Sequence, residues 1–266
     1  MDRRRYPHST IRNLTYLKKM DFIVGAALVE AGRLGRAPEE VPVLEIGCNT
    51  GNVSLSLAEA GFPVLGVEID RAKAETAGER NPYEHAEFVN RDMEHWSPER
   101  PFPVVVCSEV LEHLEDPAAM VRRIVSLTEP GGLAVITVPN GYGPWELLAY
   151  RWNPLRLVPA LLRRVRLAVG RLPVLRDRLT EPAPYPKGER HIQQFTFDRI
   201  VGLLEENGLE ALAPDGRSCF LAPVFPFSLC RRWSGLLWPL EQFDMALADK
   251  LPRFAACGWY FRCRRR

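Results

Sequence analysis

Between Glu109 and His113 the chain sets two carboxylates and an imidazole in one short run, Glu109-Val110-Leu111-Glu112-His113. Groups of these types move protons near neutral pH or ligate a divalent cation. Glu109, Glu112 and His113 are therefore both the candidate acid–base groups and the candidate metal ligands. Carboxylate-rich ligation suits magnesium better than zinc. A plainer alternative holds for Glu109, which could serve only to cap a helix. A second chemical feature lies earlier, in Gly47-Cys48-Asn49-Thr50-Gly51. Two glycines in a tight turn let backbone pass close to a ligand, and the amides opening the next helix point into the same crevice. A nucleotide-like ligand is the functional reading of that turn; compact packing is the other. Glu68 and Asp70 follow about twenty residues later, where a carboxylate can accept hydrogen bonds from ribose hydroxyls. Further on, the apolar pair Phe88-Val89 leads into Asn90-Arg91-Asp92-Met93, which sets Asp92 just past a strand.

These groups need a scaffold, and the chain supplies one. Val43–Ile46, Pro63–Val67, Phe88–Val89, Val104–Cys107 and Leu133–Val138 read as short buried strands. Helical stretches such as Asn52–Ala60, Arg71–Glu79 and Pro117–Thr128 separate them. That alternation predicts a parallel sheet covered on both faces. Asp116 before Pro117 suits an N-cap. Thr196-Phe197-Asp198 opens another helix, which Gly208 closes. Leu209–Ala213 should be strand six and Gly258–Cys263 a final antiparallel strand. Ile11–Leu34 reads as a leading helix, either lying over the site or packed on the sheet. The expected fold is α/β and Rossmann-like: six parallel strands plus one antiparallel, with helices on both faces. Residues 1–40 form a helical cap and 41–266 the main domain, with apolar insertions at about 141–190 and 220–252.

Taken in order, these motifs resemble the class I S-adenosylmethionine-dependent methyltransferases from Val41 to Ala213 and again in the last strand. The resemblance implies S-adenosylmethionine as cofactor. Gly47, Cys48, Asn49 and Gly51 would form the turn around its methionine portion, with Glu45 near its amino group. Glu68 would hold the ribose hydroxyls, Asp92 the adenine amino group, and Met93 would lie against the ring. Asp70 is then left as a helix cap or a solvated residue. Two positions depart from the family. Asn49 replaces a common glycine, but Asn tolerates left-handed geometry better than other side chains. Pro103 replaces an aspartate, and proline is acceptable at the first residue of a strand. The E-x-x-E-H run is similar to that of ubiquinone-biosynthesis O-methyltransferases, where it accompanies a divalent metal and a catechol-like acceptor. Those enzymes also carry an apolar element followed by Pro-Lys-Gly and a histidine. Here these are Pro186, Lys187, Gly188 and His191, one residue further apart.

Composition narrows the partners. A chain of 266 residues with 46% hydrophobic content can bury one large core and carry an accessory region. A net charge of +2 gives no general pull toward nucleic acid. Cys48, Cys107, Cys219, Cys230, Cys257 and Cys263 form no C-x-x-C pair, which predicts reduced structural thiols in a cytoplasmic protein. No secretory signal and no bilayer-spanning stretch is expected. Within residues 145–178, however, Val158–Leu172 predicts a helix with Leu161, Leu162 and Val165 on one face and Arg163, Arg164 and Arg166 on the other. Asp177 alone opposes eight arginines between Arg151 and Arg178, a pattern of peripheral membrane contact. Packing on its own domain is the commoner use of an amphipathic helix. The function expected is O-methylation of an apolar, lipid-like phenol or quinol. The rivals are O- or N-methylation of a soluble metabolite or sugar, and a binding scaffold without turnover.

Overall fold

The computed structural model describes residues 6–9, 14–96, 98–143, 191–212, 214–217, 239, 242–244, 246–248, 250 and 252–266. The basic helix expected at 158–172 and most of the second insertion lie outside these residues.

In chain order the elements are α1 (Leu14–Leu34), β1 (Val43–Ile46), α2 (Asn52–Glu59), β2 (Val64–Glu68), α3 (Arg71–Glu79), β3 (Ala86–Asn90), β4 (Phe102–Ser108), α4 (Pro117–Leu127) and β5 (Thr128–Pro139). They continue with α5 (Phe197–Glu206), β6 (Leu209–Ala211), β7 (Asp215–Gly216) and β8 (Gly258–Arg265). The sheet order is β3-β2-β1-β4-β5-β8-β6, with β7 also paired to β8. Strands β1 to β5 pair in parallel. β8 runs antiparallel to β5 and to β6, so β6 points the same way as the first five. Six parallel strands and one antiparallel strand are thus as expected, and the short β7 is an addition. It pairs Asp215 with Tyr260 and Gly216 with Trp259.

Side chains alternate across each strand. Leu44, Ile46, Val105, Cys107, Ala134 and Ile136 face α4 and α5, where Met120, Val121, Ile124, Ile200 and Leu204 complete one core. Val43, Val104, Val106, Leu133 and Val135 face the other way, onto α1 and α2. Leu17, Met20, Ile23, Val24, Ala27 and Ala31 repeat at helical spacing and bury one stripe of α1 in that second core. Leu17, Met20, Ile23 and Val24 each contribute about 1.5–3 kcal/mol when fully buried, and the two alanines less. The leading helix therefore packs on the sheet itself. Glu30 fastens its far end to the last strand, accepting from Arg33 Nη2 and from Arg264 Nη1, each at 2.7 Å.

The predicted caps are present. Asp70 accepts from the amides of Ala72 and Lys73, Asp116 from that of Ala119, and Thr196 from that of Arg199. Pro103 stands one residue inside β4 rather than at its start. The β4–β5 register shifts between Phe102 and Val104, so the missing N–H falls at an irregularity where proline is tolerated.

The order of strands reverses direction at β1 and β4. Crossovers leave a crevice at the carboxyl ends of two such strands. Gly47 follows β1 there and Glu109 follows β4, so the two chemical features of the sequence meet.

Candidate functional site

The glycine loop is built from backbone. Gly47 N–H and Cys48 N–H both donate to Val67 O, at 2.8 and 3.1 Å, and Gly51 N–H donates to Cys48 O at 2.9 Å. Gly47, Asn49 and Gly51 have φ of 72°, 50° and 82°. Asn49 thus adopts the left-handed geometry expected of it, and its Oδ1 accepts from Thr50 N–H at 2.8 Å. At Gly47 the glycine is obligatory for a second reason: a Cβ would stand 2.5 Å from Val110 Cγ2. Gly47→Ala should therefore cost about 2 kcal/mol or more of stability, from backbone strain and overlap together, and should weaken nucleotide binding. Thermal melting and calorimetry check this, and an unchanged melting temperature would contradict it.

A cavity of about 430 Å³ opens at the crevice, within the usual range for small-molecule sites. Its lining brings together Gly47, Asn49, Glu68, Asp92 and Met93 with Glu109, Val110, His113 and Leu114. Glu68 is held on both oxygens: Oε2 accepts from Asn49 N–H at 2.8 Å and Oε1 from Asp70 N–H at 3.0 Å. A carboxylate fixed in this way keeps further lone pairs for a ligand's hydroxyls. Asp92 closes a turn, accepting from Glu94 N–H and pairing with His95 Nδ1, each at 2.9 Å. Those contacts hold its pKa below the ordinary value. His95 carried no expectation from sequence, nor did Arg80. The Arg80 guanidinium donates to Thr50 O, to His8 O and to Asn52 Oδ1, tying the glycine loop to the segment Tyr6–Ser9.

Cys48, Gly51 and Glu45 do not line this cavity. Glu45 lies behind the loop, on the α1 face of β1, where it is 2% exposed. Ser54 Oγ donates to its Oε2, and Gly66 opposite leaves room for that hydroxyl. Burial pushes Glu45 up to about 7, against the opposing hydrogen bond from Ser54 and the charge of Lys19. A carboxyl raised in the folded state binds more protons than in the unfolded chain. Its stabilising effect is complete below about pH 4.5 and is lost as pH rises through 7. Glu45→Gln should remove that dependence, amounting to about 3 kcal/mol at most. Denaturant titrations at pH 5 and pH 8 check the sign; a wild-type stability that rises across this window by the same amount in both proteins would contradict it.

The three predicted polar groups part company. Glu109 has φ 58°, left-handed for a residue that rarely adopts it. Its N–H donates to Thr137 O at 2.9 Å. Thr137 Oγ1 donates to Glu109 Oε1 at 3.1 Å, and Arg217 Nη1 to Oε2 at 2.8 Å. Burial acts to raise its pKa, but Arg217, Lys19 and these hydrogen bonds outweigh it and hold Glu109 well below the usual range. Glu112 goes the other way, raised by burial and by the charge of Glu109. It is fully buried, and among the described residues neither of its oxygens receives a hydrogen bond. Lys19 of α1 is buried within electrostatic reach of Glu45, Glu109 and Glu112, and burial lowers its pKa.

His113 Nε2 lies 3.9 Å from Glu112 Oε1, and its ring meets that of His191 edge-on, with centroids 5.1 Å apart. Backbone delivers His191 to this place. The Glu112 carbonyl accepts from the amides of Ile192 and Gln193, at 2.8 and 2.9 Å, and Gln193 Nε2 donates to Leu114 O at 3.2 Å. Glu112, His113 and His191 offer ligand atoms that all lie within 4.8 Å of one another, and Glu109 is not in that group. The Pro-Lys-Gly…His similarity was the one signal in the sequence for His191. Asp92, Glu94 and His95 form a second, more exposed group of this kind.

Comparison with known proteins identifies the family and the fold. A family model described as a methyltransferase domain matches residues 16–213. Over 112 residues the chain is 34% identical to trans-aconitate 2-methyltransferase of Methylobacterium radiotolerans, covering 40% of this chain and 42% of that protein. Over 103 residues it is 35% identical to ubiquinone biosynthesis O-methyltransferase of Aeromonas salmonicida, covering 37% and 43%. The chain thus matches less than half the length of these relatives. Among solved structures, magnesium protoporphyrin IX methyltransferase from Synechocystis PCC 6803 with bound SAH aligns over 99% of this chain and 92% of its own, at TM-score 0.55 and 17% identity. N-methyltransferase NodS from Bradyrhizobium japonicum WM9 aligns over 95% and 88%, at 0.54 and 15%. With the family model spanning the glycine loop, the E-x-x-E-H run and α5, this chain belongs to the methyltransferase domain family and has the fold of the class I S-adenosylmethionine-dependent enzymes.

Proposed function

We propose that the chain methylates an oxygen of an apolar, lipid-like acceptor, a phenol or quinol, at the expense of S-adenosylmethionine. The observation that carries this reading is one cavity lined both by Glu68 and Asp92 and by His113, whose Nε2 lies 3.9 Å from the buried Glu112. S-adenosylmethionine supplies a methyl group on a sulfonium, already activated for displacement. Glu68 takes the ribose hydroxyls, Asp92 the adenine amino group, and Met93 the ring face. The turn from Gly47 through Cys48 and Asn49 to Gly51 cradles the methionine portion, with Glu45 and Ser54 behind it. Ile46, Val67, Ile69, Val110, Leu114 and Met120 give the walls an apolar character.

Glu112, His113 and His191 are the residues that would hold a divalent cation. The orphaned oxygens of Glu112 fit that role, since a buried carboxylate without partners costs several kcal/mol. A bound cation would lower the pKa of an acceptor hydroxyl. If turnover survives excess chelator, His113 is instead the base that takes the hydroxyl proton.

Incubation with labelled S-adenosylmethionine and fractionated extracts tests the reading. Label should enter an apolar, lipid-soluble product. Label confined to the aqueous fraction would favour the second reading, a soluble acceptor, which the match to trans-aconitate 2-methyltransferase supports. Among the described residues no helix is long and apolar enough to cross a membrane. Reversible contact through residues 145–178 is proposed from their arginine-rich, amphipathic sequence. Flotation on anionic vesicles at low salt should carry the protein, and replacing Arg163, Arg164 and Arg166 by glutamate should release it.

A further inference from the structure

The short run Glu109 to His113 offers two carboxylates to any cation at the site, and both Glu109 and His113 line the cavity. Only one of the two, Glu112, has oxygens without a hydrogen-bond partner among the described residues. Glu109 is turned by its left-handed backbone onto Thr137 and Arg217, which each bond one of its oxygens, and it stands outside the Glu112, His113 and His191 group. Arg217 is itself seated by backbone: it follows β7, and its N–H donates to Gly258 O of β8 at 3.0 Å. Its guanidinium therefore reaches Glu109 from a strand pairing formed 108 positions later in the chain. Glu112, by contrast, sits fully buried with both oxygens lacking a hydrogen-bond partner among the described residues, beside His113 and His191.

We propose that Arg217 withholds Glu109 from the cation, so that this chain binds a divalent ion through Glu112, His113 and His191 alone. The proposal rests on the metal-dependent reading above and deepens it. Its chemical consequence is a change of ion. Two carboxylates with a histidine would favour magnesium, an ion that prefers oxygen ligands. Two imidazoles and one carboxylate suit zinc, cobalt, manganese or iron(II), and such sets leave coordination positions open for a substrate oxygen. Removing Glu109 from the set also leaves the occupied centre one unit more positive, which strengthens its pull on an acceptor hydroxyl. The Arg217–Glu109 pair is close to neutral, so the guanidinium adds little repulsion toward the ion. Arg217 is on this argument a positioning residue, acting on ion choice through Glu109.

The test measures ion binding directly. The full chain, stripped with chelator and supplied with S-adenosylhomocysteine, is titrated with Co²⁺ by visible absorbance and with Mg²⁺ by competition. We expect one Co²⁺ per chain, displaced poorly by Mg²⁺. His191→Ala should weaken Co²⁺ binding by about 100-fold or more, whereas Glu109→Gln should change it by less than about threefold. Arg217→Met frees Glu109 to join the set, so Co²⁺ binding should tighten by about tenfold. Mg²⁺ should then compete better, and adding Glu109→Gln should cancel both gains. Co²⁺ binding lost in Glu109→Gln as fully as in His191→Ala would overturn the proposal, since Glu109 would then be a ligand. An Arg217→Met protein that binds S-adenosylhomocysteine normally but Co²⁺ no more tightly would overturn it too. Should Arg217→Met fail to fold, the Glu109→Gln titration decides alone. If neither the unmodified chain nor any variant takes up Co²⁺ or Mg²⁺ while S-adenosylhomocysteine still binds, the metal reading itself falls, and this proposal with it.

Discussion

Glu68→Ala should weaken binding of S-adenosylmethionine and of S-adenosylhomocysteine alike, by about 100-fold. Two hydrogen bonds from ribose hydroxyls to one carboxylate would be lost, and bonds to charged groups are worth about 1.5–3 kcal/mol each. The substitution also frees the amide of Asn49, which Glu68 Oε2 holds at 2.8 Å. The loop would then lose a support on the side that faces the ligand. Equal loss for both compounds is expected because they share the ribose and differ only at sulfur. Asp92→Ala should cost less, since that side chain is 40% exposed and already shares its oxygens with Glu94 and His95. Calorimetry on the two variants settles the order. If Glu68→Ala binds within about threefold of the unmodified chain, the carboxylate does not hold the ribose.

His113→Ala should lower turnover by about 100-fold or more, the range associated with losing a group that handles the transferred proton. Affinity for S-adenosylhomocysteine should move by only a few-fold. The reason is surroundings: His113 sits beside Glu112 and His191, whereas Glu68 bonds the glycine loop at Asn49. Both readings of the residue, cation ligand and base, predict this split. Chelator separates them, because only a ligand role makes the unmodified enzyme lose activity when the ion is removed. A parallel fall in S-adenosylhomocysteine affinity would show instead that His113 supports nucleotide binding or the fold.

Much of this site was legible in the chain because its determinants are local. Asp70, Asp116 and Thr196 cap helices through bonds to amides two or three residues on, so residue type and spacing were enough to place them. Gly47, Asn49 and Gly51 take left-handed backbone for reasons intrinsic to glycine and asparagine. Glu68 ends β2 and Asp92 follows the end of β3, and a parallel sheet puts such strand ends on one edge. What the sequence by itself determined, then, was the element order, the glycine loop and the two carboxylates, Glu68 and Asp92, that line the cavity. The partners and charge states of the E-x-x-E-H run were decided by tertiary structure. Glu109 and Glu112 look equivalent in sequence, yet one is drawn onto Arg217 and the other is buried beside two histidines. Glu45 and Lys19 lie within electrostatic reach of each other only because α1 packs on the sheet. His191 reaches His113 through bonds to the Glu112 carbonyl. Ionisation in a buried site depends on desolvation and on neighbouring charge, and both are set by segments that meet only when the chain folds.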